Sequence, residues 1–199
     1  MLKLQDADVT DVVPEGAPDV AALITNQWVD ERPDLDFRWG ISLSRIWRIS
    51  AMAQAEREAR AREFGCSAGD MTLLVTLRRG GAPYEARPED LRRACVVTSG
   101  AITGRIARLQ KLGYVMREAC PKDLRSFRIR LTPAGLKVTD AAISKSAVSS
   151  SYRHAHAALS ERERQTLDGL LERLHNAMEE LGGRNPPRLL HRKPRSRGD

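Results

Sequence analysis

Between positions 98 and 113 of this 199-residue chain, small, hydroxyl-bearing and basic residues are interspersed with an apolar stripe of helical spacing. Hydroxyl and guanidinium groups on a helix bind phosphates and the edges of base pairs, and small residues let the backbone approach a groove closely. The residues that carry this chemistry are Ser99, Gly100, Thr103, Gly104, Arg105 and Arg108. The pattern therefore predicts a helix that contacts double-stranded DNA.

A second polar group follows this helix, and most of its members are basic. It consists of Lys122, Asp123, Arg125 and Arg128. An arginine at the tip of a β-hairpin can enter a narrow minor groove, where the negative potential is strongest. A carboxylate two residues away can hold that arginine in an ion pair. We expect this group to form a second DNA contact.

Local signals place both groups on defined elements. Thr98 or Ser99 is a suitable N-cap for a helix over 99–112, and Gly113 is placed to end it. The alternating residues 126–131 and the extended residues 114–118 predict a hairpin around the second group. A short helix over 88–94, begun by a proline, precedes the first group.

Helical periodicity also extends on both sides of these elements. We expect helices over 20–28, 36–63, 67–79, 133–157 and 160–181. The predicted fold is mainly α with a small β-hairpin wing, which is the layout of a winged helix-turn-helix. The long flanking helices carry more apolar surface than a small winged domain can cover, which favours dimerisation.

The net charge of +7 is concentrated in two segments. Residues 87–130 hold 11 basic and 4 acidic side chains, and residues 184–199 hold 6 and 1. Such clustering indicates a surface for a polyanion. No apolar run approaches the ~20 residues that span a bilayer, and the first residues lack a secretory signal. We therefore expect a cytoplasmic, nucleoid-associated protein without a membrane partner.

The residues that usually ligate metals or act as nucleophiles form no recognised arrangement. Cys66, Cys95 and Cys120 are scattered, and His154 and His156 are too close in sequence to share a helix face. There is no G-x-S-x-G, P-loop, H-E-x-x-H or dinucleotide fingerprint. We expect no metal, no cofactor and no enzymatic activity.

Several stretches of this chain resemble the MarR family of transcriptional regulators. They are LLVTLRR at Leu73–Arg79, RPEDL at Arg87–Leu91, the run Thr98–Arg117, DLRSFRIR at Asp123–Arg130 and LTPAG at Leu131–Gly135. The resemblance covers about residues 36–182. It implies a triangular homodimer in which each winged domain binds one half of a pseudo-palindromic operator.

On this basis the chain divides into four regions. Residues 1–35 form an N-terminal extension, and residues 36–66 with 133–183 form a helical dimerisation region. The winged helix-turn-helix covers residues 67–132, and residues 184–199 form a basic, disordered tail.

A narrower resemblance concerns the ligand. Trp28 and the following ERPDLD resemble the extension of MarR members that bind urate or related aromatic compounds, in which the extension's tryptophan lines the pocket. Such members usually carry an acid where this chain has Thr72. The resemblance implies a repressor released by a small aromatic or phenolic ligand near Trp28 and Thr72; Trp28 as a packing anchor for an extra helix is the alternative.

Two other functions are compatible with the sequence. A MarR-type redox sensor would need a cysteine with a low pKa, exposed beside a resolving partner. A protein-interaction module that lost DNA binding would not need Arg105 and Arg108.

Overall fold

The computed structural model describes residues 18–120 and 123–182, with the backbone alone at positions 120 and 123–126. The helices are α1 Val20–Glu31, α2 Gly40–Arg62, α3 Ala68–Arg79, α4 Pro88–Ala94, α5 Ser99–Lys111, α6 Pro133–Ser149, α7 Ser151–Ala157 and α8 Glu161–Leu181. The strands are β1 Glu85–Ala86, β2 Val115–Cys120 and β3 Asp123–Leu131. The mainly α fold with a small antiparallel wing confirms the predicted fold class. The predicted basic tail lies outside the described residues, as do residues 1–17.

The chain forms two compact units. The first contains residues 18–56 and 149–166 of the described chain, and the second contains residues 57–148 and 167–182. In the second unit, α3, α4, α5 and the sheet enclose one apolar core. Leu73, Leu77, Leu91, Leu109 and Ile129 are fully buried there.

The sheet has three antiparallel strands in the order β1-β3-β2. β2 and β3 form the predicted hairpin, with Val115 opposite Leu131 and Arg117 opposite Ile129. The two-residue strand β1 was not predicted; it pairs Ala86 with Ile129. A strand this short has no periodicity that a sequence pattern can reveal.

The helix predicted over 133–157 is interrupted, which corrects that prediction. Ser150 adopts an extended conformation and separates α6 from α7. It lies in a run of three serines, Ser149 to Ser151. Serine side chains compete with the helical backbone for hydrogen bonds and so favour helix ends over helix interiors.

The start of α6 is held by two close contacts. Thr132 Oγ1 accepts a hydrogen bond from the Gly135 N–H at 3.0 Å and donates one to the Gly113 carbonyl at 2.6 Å. A Cβ at Gly135 would lie 1.9 Å from the Tyr114 carbonyl oxygen. The LTPAG stretch therefore docks α6 directly against the residue that leads into β2.

Candidate nucleic-acid interface

Helix α5 is built to present one face to solvent. Thr98 Oγ1 accepts a hydrogen bond from the Ala101 N–H at 3.3 Å and caps the helix, as predicted. Ile102, Ile106 and Leu109 are buried and fix the opposite face in the core.

The exposed face of α5 begins with uncharged residues. Ser99, Gly100 and Thr103 are all exposed, and no atom lies within 4 Å of a Cβ built on Gly100. Thr103 Oγ1 donates to the Ser99 carbonyl at 3.0 Å. Gly104 is half-buried beside this face. The first turn of α5 therefore offers a smooth, accessible surface of small residues.

Arg108 forms a salt bridge with a buried acid of α3. Its Nη2 and Nε donate to the Asp70 carboxylate at 2.8 and 3.2 Å. The Asp70 side chain is only 3% exposed, whereas that of Arg108 is 57% exposed. Asp70 also completes a capping box with Ser67 at the start of α3. Arg108 thus ties α5 to the N-terminal turn of α3.

The ionised state of Asp70 depends on these contacts. Burial alone would raise the pKa of Asp70, but hydrogen bonds from Arg108 and Ser67 outweigh burial and hold the pKa below its ordinary value. The hydrogen bond to Asp70 in turn raises the pKa of Arg108. The link between the two helices is therefore an ion pair at neutral pH.

Arg105 also lies against α3. It is half-buried, and its guanidinium carbon is 2.7 Å from the position that a Cβ on Gly69 would occupy. The lack of a side chain at Gly69 makes room for this group. Both arginines of α5 that the sequence assigns to DNA are thus directed towards the start of α3, and their contact with DNA stays a prediction.

The outer face of the wing carries a network of ion pairs. Glu85 of β1 binds Arg130 at 2.6 Å and Arg128 at 3.3 Å, and Arg130 also binds Glu118 at 2.8 Å. Arg128, a predicted DNA contact, is therefore partly neutralised by an acid of its own domain. Lys122 lies outside the described residues, and the side chains of Asp123 and Arg125 do as well.

The inner face of the wing holds a basic residue that the sequence analysis missed. The Arg117 guanidinium carbon lies 4.7 Å from the centre of the Phe127 ring. Arg117 is exposed, and Phe127 packs on the edge of the core. Strand alternation from the buried Val115 would have placed Arg117 on this face.

The two predicted ligand residues lie in different units. In the first unit, Trp28 is 54% exposed and its ring lies 5.7 Å from that of Phe37. In the second, Thr72 Oγ1 accepts a hydrogen bond from Arg57 at 2.7 Å and donates one to the Ala68 carbonyl at 2.9 Å. A basic residue thus lies beside position 72.

The cysteines that the structure describes are poor candidates for oxidation. Burial, reinforced by the charge of Asp70, raises the pKa of the Cys66 thiol to about 11. Burial also raises the pKa of Cys95. Both shifts oppose the thiolate on which oxidative sensing depends. The side chain of Cys120 lies outside the described part of the chain.

The described residues contain neither a metal-binding cluster nor a membrane-spanning helix. No three side chains among His, Cys, Asp and Glu are grouped there to hold a metal ion. In the same residues, no helix has the length and apolar character to cross a membrane.

Comparison with known proteins gives the class of this chain. The family model that matches residues 67–127 is that of the MarR family. The chain is 30% identical over 151 residues to the HTH-type transcriptional regulator PecS of Dickeya dadantii (strain 3937), an alignment that covers 76% of this chain and 90% of PecS. This chain therefore belongs to the MarR family and is a winged-helix transcriptional regulator.

Solved structures agree on the fold. AbsC, a MarR family regulator from Streptomyces coelicolor, superposes with a TM-score of 0.61 at 22% identity over 70% of this chain and 93% of AbsC. Sco3205 from the same organism, solved in complex with DNA, gives 0.55 at 23% identity over 72% of this chain and 91% of its own.

Proposed function

We propose that this chain is a homodimeric repressor that binds a pseudo-palindromic operator and is released by a small aromatic or phenolic ligand. In each protomer, α5 lies in a major groove and the β2–β3 wing reaches an adjacent minor groove. One observation carries this proposal: the capped first turn of α5 is exposed, uncharged and made of small residues, while its other face is fixed in the core.

The major groove admits an α-helix, and the N-terminal residues of a recognition helix meet base edges there. Ser99 and Thr103 bring hydroxyls that can donate or accept, and the Thr103 methyl can contact a thymine methyl. Gly100 keeps the first turn narrow. The free N–H groups at the start of α5 also favour a phosphate.

In this arrangement Arg108 orients α5 rather than reading a base. Its two hydrogen bonds to buried Asp70 fix the helix relative to α3. Arg105, packed over Gly69, supports the same orientation. The part of Arg108 that stays exposed is free to contact a phosphate.

Thr103→Ala tests base recognition by α5. Fluorescence anisotropy is measured with a duplex that the wild-type protein selects from a random pool, and with a scrambled duplex. Loss of the hydroxyl and methyl contacts should weaken binding to the selected duplex by about tenfold and leave binding to the scrambled one unchanged.

Thr166→Ala on α8 is the matched control. Thr166 is also exposed, and its Oγ1 also donates to the carbonyl four residues earlier, at 2.8 Å. Its affinity for both duplexes should equal that of the wild type. A wild-type protein that selects no sequence from the pool would refute the proposed function.

The ligand part of the proposal is supported by the exposed Trp28–Phe37 ring pair of the first unit. A ligand that binds better to the conformation unable to bind DNA shifts the population away from DNA. Trp28→Ala should keep the DNA affinity of the wild type, but millimolar urate or salicylate should no longer release the selected duplex from it. Trp28→Phe should keep both the affinity and the release. Release from Trp28→Ala at the wild-type level would exclude Trp28 from the ligand site.

A further inference from the structure

We propose that Arg117 is a phosphate-binding residue of the DNA interface, held in position by Phe127; this inference rests on the proposed function. Arg117 would bind the sugar-phosphate backbone that separates the major groove entered by α5 from the minor groove reached by the wing.

The register of the wing places Arg117 on the sheet face that packs against α5. Directly opposed residues of an antiparallel pair lie on the same face, and Arg117 is opposite Ile129. Ile129 is fully buried in the core that α5 shares, as is Leu109 of that helix. Arg117 therefore lies on the α5-facing side of the sheet, and its side chain is exposed at the edge of the core.

Arg117 differs in its ion pairing from Arg128 and Arg130, the two other described arginines of the wing strands. Arg128 and Arg130 lie on the opposite face and are bound to Glu85. Among the side chains that the structure describes, no acid lies within ion-pair distance of Arg117. The Phe127 ring contacts the guanidinium by a cation–π interaction, which uses none of its N–H donors.

This geometry suits a phosphate. A guanidinium binds a phosphate through two parallel hydrogen bonds, and a ring that already restrains its plane lowers the entropy lost on binding. Between an occupied major groove and an adjacent minor groove runs one sugar-phosphate strand. The α5-facing side of the wing borders that strand, so Arg117 is positioned to bind it without reading sequence.

The test is the salt dependence of binding. Arg117→Gln, Arg117→Lys and Lys137→Gln are compared with the wild type on the selected and scrambled duplexes between about 50 and 300 mM salt. Lys137 is exposed on α6, and its substitution removes the same charge. Phe127→Leu removes the ring but keeps an apolar side chain at the core edge. Thermal unfolding of each variant reports whether it is folded.

Arg117→Gln should reduce the slope of log K against log salt by about one and weaken both duplexes by a similar factor, about tenfold at the lower salt. Arg117→Lys should have the slope of the wild type. Phe127→Leu should weaken binding without changing the slope, and Lys137→Gln should change neither the affinity nor the slope.

An unchanged slope in folded Arg117→Gln overturns the inference while the proposed function stands. A loss confined to the selected duplex also overturns it, since that result identifies a base contact. If the wild-type protein binds neither duplex, the proposed function itself fails.

Discussion

Val96 occupies a backbone conformation that favours glycine. It follows α4 with a φ of +52°, and its N–H and that of Val97 bond to the carbonyls of Arg93 and Arg92, both at 3.2 Å. These are the two hydrogen bonds of a Schellman motif, whose left-handed residue is usually glycine. A β-branched side chain raises the energy of this conformation, and here that side chain is 73% exposed and packs little.

Val96→Gly should therefore stabilise the protein by about 1 kcal/mol, measured as a shift of the urea midpoint at constant slope. Val148→Gly is the control, because Val148 is equally exposed, at 70%, but lies in the regular helix α6. There the substitution should destabilise by a few tenths of a kcal/mol. Equal effects of the two substitutions would mean that the left-handed conformation at position 96 carries no cost.

Asp70 should give the protein a specific sensitivity to acid. Because its pKa is lowered in the folded state, its contribution is complete above the ordinary value of 3.8 and is lost as the pH falls through the lowered value. The free energy of unfolding of Asp70→Asn should thus lie below that of the wild type by a constant amount of about 1–3 kcal/mol at neutral pH. The difference should shrink below pH 3.8. Urea unfolding over this range measures it, and a gap that stays constant to the lowest pH would contradict the ion pair.

At the scale of elements, the docking of α6 depends on the absence of a side chain at position 135. A Cβ there would collide with the Tyr114 carbonyl, which is backbone and moves only with β2. Gly135→Ala should therefore destabilise the protein by about 3 kcal/mol in urea unfolding, at the upper end of overpacking costs. Gly100→Ala is the matched control, because its Cβ meets open space, and there alanine should be neutral or stabilising. A Gly135→Ala variant as stable as the wild type would show that α6 shifts freely.

The sequence predicted the helices α3 to α5 and the β2–β3 hairpin, but neither the short strand β1 nor the contacts of the long side chains on α5. The helices α4 and α5 begin where local signals predict, α4 at Pro88 and α5 after the N-cap Thr98. The apolar stripe Ile102–Leu109 is a local signal as well. Helical spacing also turned Arg108 outwards correctly. Its guanidinium nevertheless bonds to Asp70, which lies 38 positions earlier in the chain. No local sequence pattern contains a pair so far apart.

At the scale of the whole molecule, two helices carry apolar surface that the described chain leaves uncovered. α8 has no buried residue, and its exposed apolar side chains are Leu170, Leu171, Leu174, Met178 and Leu181. On α2, Leu43, Trp47 and Met52 are exposed by 49%, 75% and 63%. Apolar stripes of this length are seldom left in water. In the proposed homodimer a second copy of the chain would supply the matching surface, and an isologous dimer would also match the symmetry of a palindrome.

Leu174→Glu tests this assembly, because it places a charge in the centre of the α8 stripe. The wild type should sediment as a dimer and unfold at a temperature that rises with protein concentration. Leu174→Glu should sediment as a monomer, since a buried unpaired carboxylate disfavours association. Because a monomer engages one half-site at a time, its affinity for the full selected duplex should fall towards its affinity for a half-site duplex.

Asn176→Glu adds the same charge two residues further along α8, where the helix has turned by about 200° and presents its opposite face. It should remain a dimer and keep the affinity of the wild type for the full duplex. Two monomeric variants would mean that added charge anywhere on α8 prevents association. Two dimeric variants would mean that the α8 stripe lies outside the interface, in which case the exposed residues of α2 would have to hold the two copies together.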